Sequence, residues 1–242
     1  MVVQTQVQDH VMVLTITHKR RTNPWDMSVI QSLVQALAEV NAAQDINAVL
    51  ITGGARRGFS VGGDLDELQR LAQSNQLQDW VDLKNQLFNL LFSINKPIVA
   101  AMDRYCIGLG FVVSLLFDWR IATDKTVFSL PEIPNGVEGS IVVEFVSAVT
   151  QLNTARRLLY RTEPLQAAEI HQMNLIDEIV PADQLLESGL AMAKTLGAYP
   201  AETFASTKET INKRLRLAHQ RAQEKDFAFI TESRLFNTFT EA

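Results

Sequence analysis

Residues 96–133 read KPIVAAMDRYCIGLGFVVSLLFDWRIATDKTVFSLPEI, and the order of apolar runs and breakers in this stretch decides the fold. PIVAAMD is a short apolar run of the kind that forms a strand buried on both faces. Gly108 and Gly110, on either side of Leu109, open GLGFVVSLLFDW, which reads as a buried helix. RIATDKTVFSLPEI then supplies two more short strands. Strands separated by crossover helices are what a parallel sheet requires.

The same alternation extends upstream. HVMVLTITH (10–18) and NAVLITGG (47–54) are β-branched runs bounded by polar residues and glycine. Between them, Met27 to Gln44 places Ile30, Leu33, Val34, Leu37 and Val40 at helical spacing. Leu65 to Ser93 reads as one further helix. The α/β part therefore covers about residues 1–139, and from Ser140 onward the chain reads as mainly helical, with breaks at Pro164, Pro181 and Pro200. The last stretch, EKDFAFITESRLFNTFTEA (224–242), holds more phenylalanine than a solvent-facing helix needs, and such a stripe serves either core or a subunit contact. There is no tandem repeat or low-complexity linker.

With 242 residues, 47% of them hydrophobic, the chain can fill a sizeable core as one large domain or one domain with an appendage. The 27 acidic and 22 basic side chains give a net charge of −5 with no long basic run, which argues against nucleic acid as the main partner. The single cysteine, Cys106, has no disulfide or metal-ligand companion and reads as packing in a reducing compartment. MVVQTQVQDHVMVLTIT, at the N-terminus, alternates instead of running apolar long enough for a signal or a membrane span, so a cytoplasmic location without membrane association is expected. His10, His18, His171 and His219 occur singly and read as surface or packing residues.

Three segments carry candidate chemistry. In FSVGGDLDEL (59–68), Phe59 closes a strand and Asp64 opens a helix, leaving the amides of Gly62 and Gly63 where they can face an anion. CIGLGF (106–111) collects amides in the same way. Two such clusters brought together by adjacent strands make an oxyanion hole; glycine at a strand-to-helix junction can also be purely structural. Neither segment has the Gly-Lys-Ser/Thr of a phosphate loop or the glycine spacing of a dinucleotide fingerprint. PEIPNGVEGS (131–140) is an irregular loop stiffened by Pro131 and Pro134, and it holds Glu132 and Glu138. A carboxylate there serves either chemistry or solvation. Glu138, at the entry to the Ser140 helix, suits capping or a second acidic role.

NAVLITGGARRGFSVGGDLDEL (47–68), the 96–133 stretch and YPAETFASTKETINK (199–213) resemble, in order and separation, the successive signatures of the crotonase, or enoyl-CoA hydratase/isomerase, superfamily. The resemblance covers essentially the whole chain. It implies an α/β spiral of ββα units with two stacked sheets over residues 1–199, and a helical C-terminal trimerisation region over 200–242. It also implies a coenzyme A or acyl-carrier-protein thioester as substrate, no tightly bound cofactor, no metal, and a homotrimer or a hexamer of two trimers. Carried over by motif, the amides of Gly63 and Leu109 hold the thioester oxygen and Glu132 is the catalytic glutamate. Arg20, Arg21 and Thr22, with Ser60, Val61, Gly62 and Asp64, correspond to segments that hold the nucleotide end of coenzyme A.

Hydratases of the superfamily use two glutamates, and the first of those positions is Val112 here. A lone Glu132 suits single-base chemistry: moving a double bond, or managing an enolate made by decarboxylation. TNPW (22–25), LQDWVDL (77–83), INKP (94–97), IGLGF, LFDWRIA (116–122) and YPAETFASTK make the chain most similar to the carboxymethylproline synthase branch, which decarboxylates malonyl-CoA and joins the enolate to a cyclic imine. Trp80 matches a tryptophan lining that branch's acceptor pocket, or is simply helix packing. Ile230 stands where the branch has a histidine, and Val112 where it has a polar residue, so the expected pocket is less polar. The readings carried forward are a malonyl-CoA decarboxylase forming a carbon–carbon bond, a single-glutamate isomerase or hydratase-like enzyme, and a non-catalytic acyl-CoA-binding subunit.

Overall fold

The computed structural model describes residues 2–231, with side chains as far as Glu224. It opens with a hairpin: β1 (Val3–Gln8) and β2 (Val11–Ile16) pair antiparallel around Asp9 and His10, both at positive φ. A two-residue turn of that kind matches the natural twist of paired strands. Next comes α1 (Met27–Ala38), whose N-cap Asp26 accepts a 2.9 Å hydrogen bond from Val29 N. Ile30, Leu33, Val34 and Leu37 form its buried face, as the periodicity predicts, although the helix stops at Ala38 and not at Gln44.

β3 (Ala48–Thr52) leads to α2 (Leu65–Gln73) and α3 (Leu77–Ser93). The single helix expected over 65–93 is thus two, because Asn75 takes a left-handed conformation (φ 56°) between them. Asparagine accepts that conformation more readily than most residues, and helices commonly end on it. The chain continues through β4 (Ile98–Met102), β5 (Tyr105–Ile107), α4 (Leu109–Ser114), β6 (Trp119–Thr123) and β7 (Val127–Ser129). Beyond Ser140 lie α5 (Ser140–Val149), α6 (Leu152–Arg161), β8 (Leu165–Gln166), α7 (Ala167–Gln172), β9 (Glu178–Val180), α8 (Leu185–Gly197) and α9 (Ala201–Thr231). This half is mainly helical, as the sequence predicts, with β8 and β9 as two short strands that the reading did not include.

Among the described residues, the strands form a six-stranded sheet, β1-β2-β3-β4-β6-β9, parallel after the first hairpin, and a three-stranded sheet, β5-β7-β8. Each of the pairs β4–β5 and β6–β7 sends its first strand to the large sheet and its second to the small one. This is the ββα spiral that the resemblance implies. Side-chain alternation on β3 and β4 serves two cores: Val49, Ile51, Ile98, Ala100 and Met102 face the main one, while Leu50, Val99 and Ala101 face α8. Gly189 lets α8 approach closely, since a Cβ there would stand 2.9 Å from Leu50 Cδ1.

Helix α9 is tied to the core by an ion pair between buried Lys208 and half-buried Asp118. Lys208 Nζ reaches Asp118 Oδ2 at 2.6 Å and the Lys96 carbonyl at 2.8 Å, and Asp118 Oδ2 also accepts from Ile98 N. His219, about three turns further along α9, sits buried among Phe88, Phe92 and Phe145. Cys106 is buried, and desolvation pushes its thiol well above the ordinary range. Ile230 and the phenylalanine stripe lie outside the described side chains. No helix among the described residues is long and apolar enough to cross a membrane.

Candidate active site

The two glycine segments run side by side. Ser60 N donates to the Tyr105 carbonyl and Ile107 N to the Ser60 carbonyl, both at 2.9 Å, so the segment before Gly62, where the sequence predicts a strand closed by Phe59, is instead joined to β5 by a single isolated bridge. Gly62 holds a left-handed conformation (φ +87°) that strains any side chain, and a Cβ there would make tight contacts, 3.2 Å from the Ile107 carbonyl oxygen and 3.4 Å from Leu109 N. Its own amide donates to Ser60 Oγ (3.0 Å) and its carbonyl accepts from Trp25 N (2.7 Å). The loop is therefore held from both sides. Gly108 (φ +53°), at the mouth of α4, anchors through its amide to the Ser129 carbonyl at 3.0 Å.

Two amides are left over by this bonding. Among the described residues, neither Gly63 N nor Leu109 N donates to a backbone carbonyl. Leu109 is the first residue of α4, where an N–H has no partner within its own helix. Gly63 and Leu109 line one cavity, together with Glu132, Trp80 and Val112.

Glu132 is the acid of this cavity. Only 8% of its surface is exposed, and its Oε1 lies 3.5 Å from where a Cβ on Gly108 would stand. Burial raises its pKa from 4.5 to about 7, its own backbone amide opposing the shift. A carboxyl tuned to neutrality can give or take a proton under ordinary conditions. Its Oε2 and the Nε1 of Trp80 are buried without a hydrogen-bond partner among the described residues, which leaves one acceptor and one donor in the cavity wall. Trp80 Cζ2 stands 3.5 Å from the Cβ position of Gly63, so the indole edge borders the same glycine.

Val112 is fully buried in the wall and leaves Glu132 without an acidic neighbour on α4. Glu138 also lines the cavity, but its Oε2 accepts from Ser140 N (2.7 Å) and its Oε1 from Ser140 Oγ, where α5 begins. Both oxygens therefore serve the helix start.

The segments expected at the nucleotide end are adjacent, with different exposures. Arg20 and Arg21 are at the surface and Thr22 is half-buried. Arg20 pairs with Asp64 and, at 3.4 Å, with Asp66. Asp64 is buried and caps α2 through Asp66 N and Glu67 N. Ser60 is fully buried, its hydroxyl bonded to Gly62 N, while Val61 and Gly62 line the cavity. The side chains of Ser60 and Asp64 thus shape the loop; Arg20 and Arg21 present charge to solvent.

Asn23 is a residue that sequence reasoning passed over. Fully buried at φ +52°, it donates to the carbonyls of Ile16, Gly53 and Gly58 and accepts from His18 N and Arg57, which fastens the arginine loop to the end of β3. The Asn-Pro dipeptide in TNPW is the sequence signal for such a turn. Lys84, also missed, lines the cavity from α3.

Comparison with known proteins gives the same fold and the same order of segments. The family model described as enoyl-CoA hydratase/isomerase matches residues 6–240. The carboxymethylproline synthase of Pectobacterium carotovorum subsp. carotovorum is 33% identical over 205 residues, which is 85% of this chain and 82% of that protein. The 2,3-dehydroadipyl-CoA hydratase of Escherichia coli (strain K12) is 27% identical over 221 residues, 90% of this chain and 85% of that one. The crystal structure of an enoyl-CoA hydratase from Mycobacterium avium subsp. paratuberculosis K-10 superposes with a TM-score of 0.82 at 24% identity, covering 98% of this chain and 92% of that chain, a likeness of fold. A model match spanning nearly every residue, and a relative one-third identical over most of both chains, establish that this protein belongs to the enoyl-CoA hydratase/isomerase family, the crotonase superfamily of enzymes.

Proposed function

We propose that this enzyme acts on an acyl thioester of coenzyme A or a carrier protein, holds the enolate oxygen between the amides of Gly63 and Leu109, and uses Glu132 as its one titrating group. The reaction that fits best is decarboxylation of a malonyl thioester coupled to carbon–carbon bond formation. One observation carries this reading: a single buried carboxyl, raised to about 7, faces the cavity, while the neighbouring helix offers Val112 and the second glutamate is bonded at Ser140. Adding water across a double bond calls for two proton-handling groups, whereas managing an enolate calls for an oxyanion hole and one. The similarity to a carboxymethylproline synthase supports the same choice.

In this scheme the bond between the malonyl α-carbon and its carboxylate breaks, and carbon dioxide leaves. The electron pair moves into the enolate, whose oxygen the two amides stabilise. The α-carbon then attacks the carbon of a cyclic imine, and the imine nitrogen takes up a proton. Apolar walls from Leu65, Leu68, Val112 and Ile141 desolvate the departing carboxylate while the charge moves to the hole. Glu132 positions the α-carbon, or protonates it when no acceptor is present.

The test is incubation with malonyl-CoA, with and without pyrroline-5-carboxylate, following carbon dioxide and the coupled thioester by mass spectrometry. Release of carbon dioxide in both cases and coupling in the second is expected; neither release nor product removes the reading. A second reading, double-bond isomerisation, draws on the same near-neutral Glu132, which could carry a proton between two carbons. A panel of 3-enoyl-CoA thioesters followed at the absorbance of the conjugated product separates it. A non-catalytic acyl-CoA-binding subunit would show no dependence on Glu132→Gln with any of these substrates. Three-fold assembly accompanies the enzymatic reading, and sedimentation would measure it.

A further inference from the structure

The peptide that joins Gly62 to Gly63 is held by its carbonyl. Trp25 N donates to the Gly62 carbonyl oxygen at 2.7 Å, and Trp25 and Gly63 form an isolated parallel bridge. A trans peptide is planar, so its C=O and N–H point in opposite directions. A carbonyl fixed at Trp25 therefore turns the Gly63 N–H to the other side. Gly63 lines the cavity, and Trp25 is not in its wall.

The second donor peptide is held in the same manner by other means. The Gly108 carbonyl, which shares its peptide with Leu109 N, accepts from Val112 N at 3.0 Å, the first bond of α4. That anchor comes with the helix. Gly62 lies ahead of α2, outside any helix or strand, at a φ of +87°. Among the described residues, no other backbone N–H reaches its carbonyl. Trp25 thus supplies from a distant segment what α4 supplies locally.

The Trp25 donor is itself firmly mounted. Its indole is fully buried, 6.2 Å from the ring of Phe59, which leads into the glycine segment. The next residue, Asp26, caps α1, and Met27 N donates to Glu67 Oε2 on α2 at 2.8 Å. A carbonyl that accepts a hydrogen bond also makes its own N–H a stronger donor, because successive bonds polarise one another.

Resting on the thioester reading above, we propose that Trp25 is a positioning residue of the oxyanion hole: its main-chain N–H, by fixing the Gly62 carbonyl, aims the Gly63 N–H at the thioester oxygen.

The test exchanges one N–H for an ester oxygen. Tryptophan at position 25 is replaced by its α-hydroxy acid through nonsense suppression, which keeps the indole. The same exchange at Met27 is the control, since it removes an N–H of the same turn that belongs to neither donor peptide. The probe is acetyl-CoA isotope-labelled at the thioester carbonyl, whose infrared stretch falls when donors grip the oxygen. Wild-type protein is expected to lower that stretch, the Trp25 ester to lose a large part of the lowering, and the Met27 ester to keep it. Trp25→Phe should keep it too, because the indole Nε1 has no partner among the described residues to lose. With malonyl-CoA, the Trp25 ester should reduce kcat about ten-fold or more, short of the 10²–10³ of a deleted donor. KM should change by less than about two-fold, because the aimed bond is stronger in the transition state. A wild-type protein that leaves the stretch unmoved would remove the oxyanion reading and the proposal with it. A lowering that survives in the Trp25 ester, or falls equally in the Met27 ester, would overturn the proposal alone. If the Trp25 ester does not fold, hydrogen exchange at the Trp25 amide of the wild type takes its place: acetyl-CoA should slow it through the shared peptide, and an unchanged rate overturns the proposal.

Discussion

Ser60 fills the space that a side chain at position 110 would need: a Cβ on Gly110 would stand 2.3 Å from Ser60 Cβ and 2.6 Å from its Oγ. This contact presses the segment that leads into Gly62 and Gly63 against the helix that Leu109 opens, and so sets the spacing of the two unspent amides. Overpacking at such a point forces backbone to move, at a cost of about 1–3 kcal/mol. Gly110→Ala should lower the unfolding free energy measured in urea by that amount and reduce kcat, although residue 110 is not in the cavity wall. Adding Ser60→Gly makes room and should recover part of the stability. A loss that is simply additive in the double variant would show that the contact is not the cause.

Leu109 offers a way to remove one donor without removing the helix. It is the first residue of α4, a position where proline is well accommodated. Leu109→Pro deletes the N–H and should cut kcat by about 10²- to 10³-fold, the scale for losing one oxyanion donor. Leu109→Ala keeps the amide and should cost far less. Circular dichroism of both variants checks that the fold is retained, and equal activities would locate the hole elsewhere.

Glu132 makes stability depend on pH in a definite sense. Its folded pKa, about 7, lies above the ordinary 4.5, so between these values the native state holds a proton that the unfolded chain has released. Stability is therefore full below about pH 4.5 and declines as pH rises through 7, by about 3 kcal/mol in total. Glu132→Gln should remove this slope and cut kcat by about 10²- to 10⁴-fold. Urea titrations of both proteins at pH 5 and pH 8 measure it: the gap in unfolding free energy should move toward the variant at the higher pH.

The Lys208–Asp118 pair anchors α9 beside the large sheet. Removing one partner strands a buried charge, and Asp118→Asn should destabilise the protein by about 3–5 kcal/mol. Thermal unfolding reads this directly, and a shift no larger than that of an exposed substitution would contradict it.

Much of the fold was legible because burial writes itself into period and length. β3 and β4 are continuous apolar runs, and α1 repeats at helical spacing, so all three are read from the residue pattern alone. β8 and β9 escaped because two or three residues are too few to set a period, and Pro164 and Pro181 beside them read as breaks. The break at Asn75 escaped because apolar spacing continues on both sides of it. At the site, Glu132 and the glycines carried the family signature, and the side-chain work of Glu138 at Ser140 followed from its place before a helix. Lys84 and Asn23 were passed over: the first needs its helix face to be known to be buried, and the second binds residues up to 35 positions away.

The central claim is that the main-chain donors of residues 63 and 109 share one negatively charged oxygen. A crystal structure with acetyl-CoA bound measures this most directly. The account predicts the thioester oxygen at 2.7–3.1 Å from both nitrogens, with the Glu132 carboxyl beside the acyl carbon next to it. A thioester oxygen that meets only one of the two amides, or lies against another wall of the cavity, would contradict it.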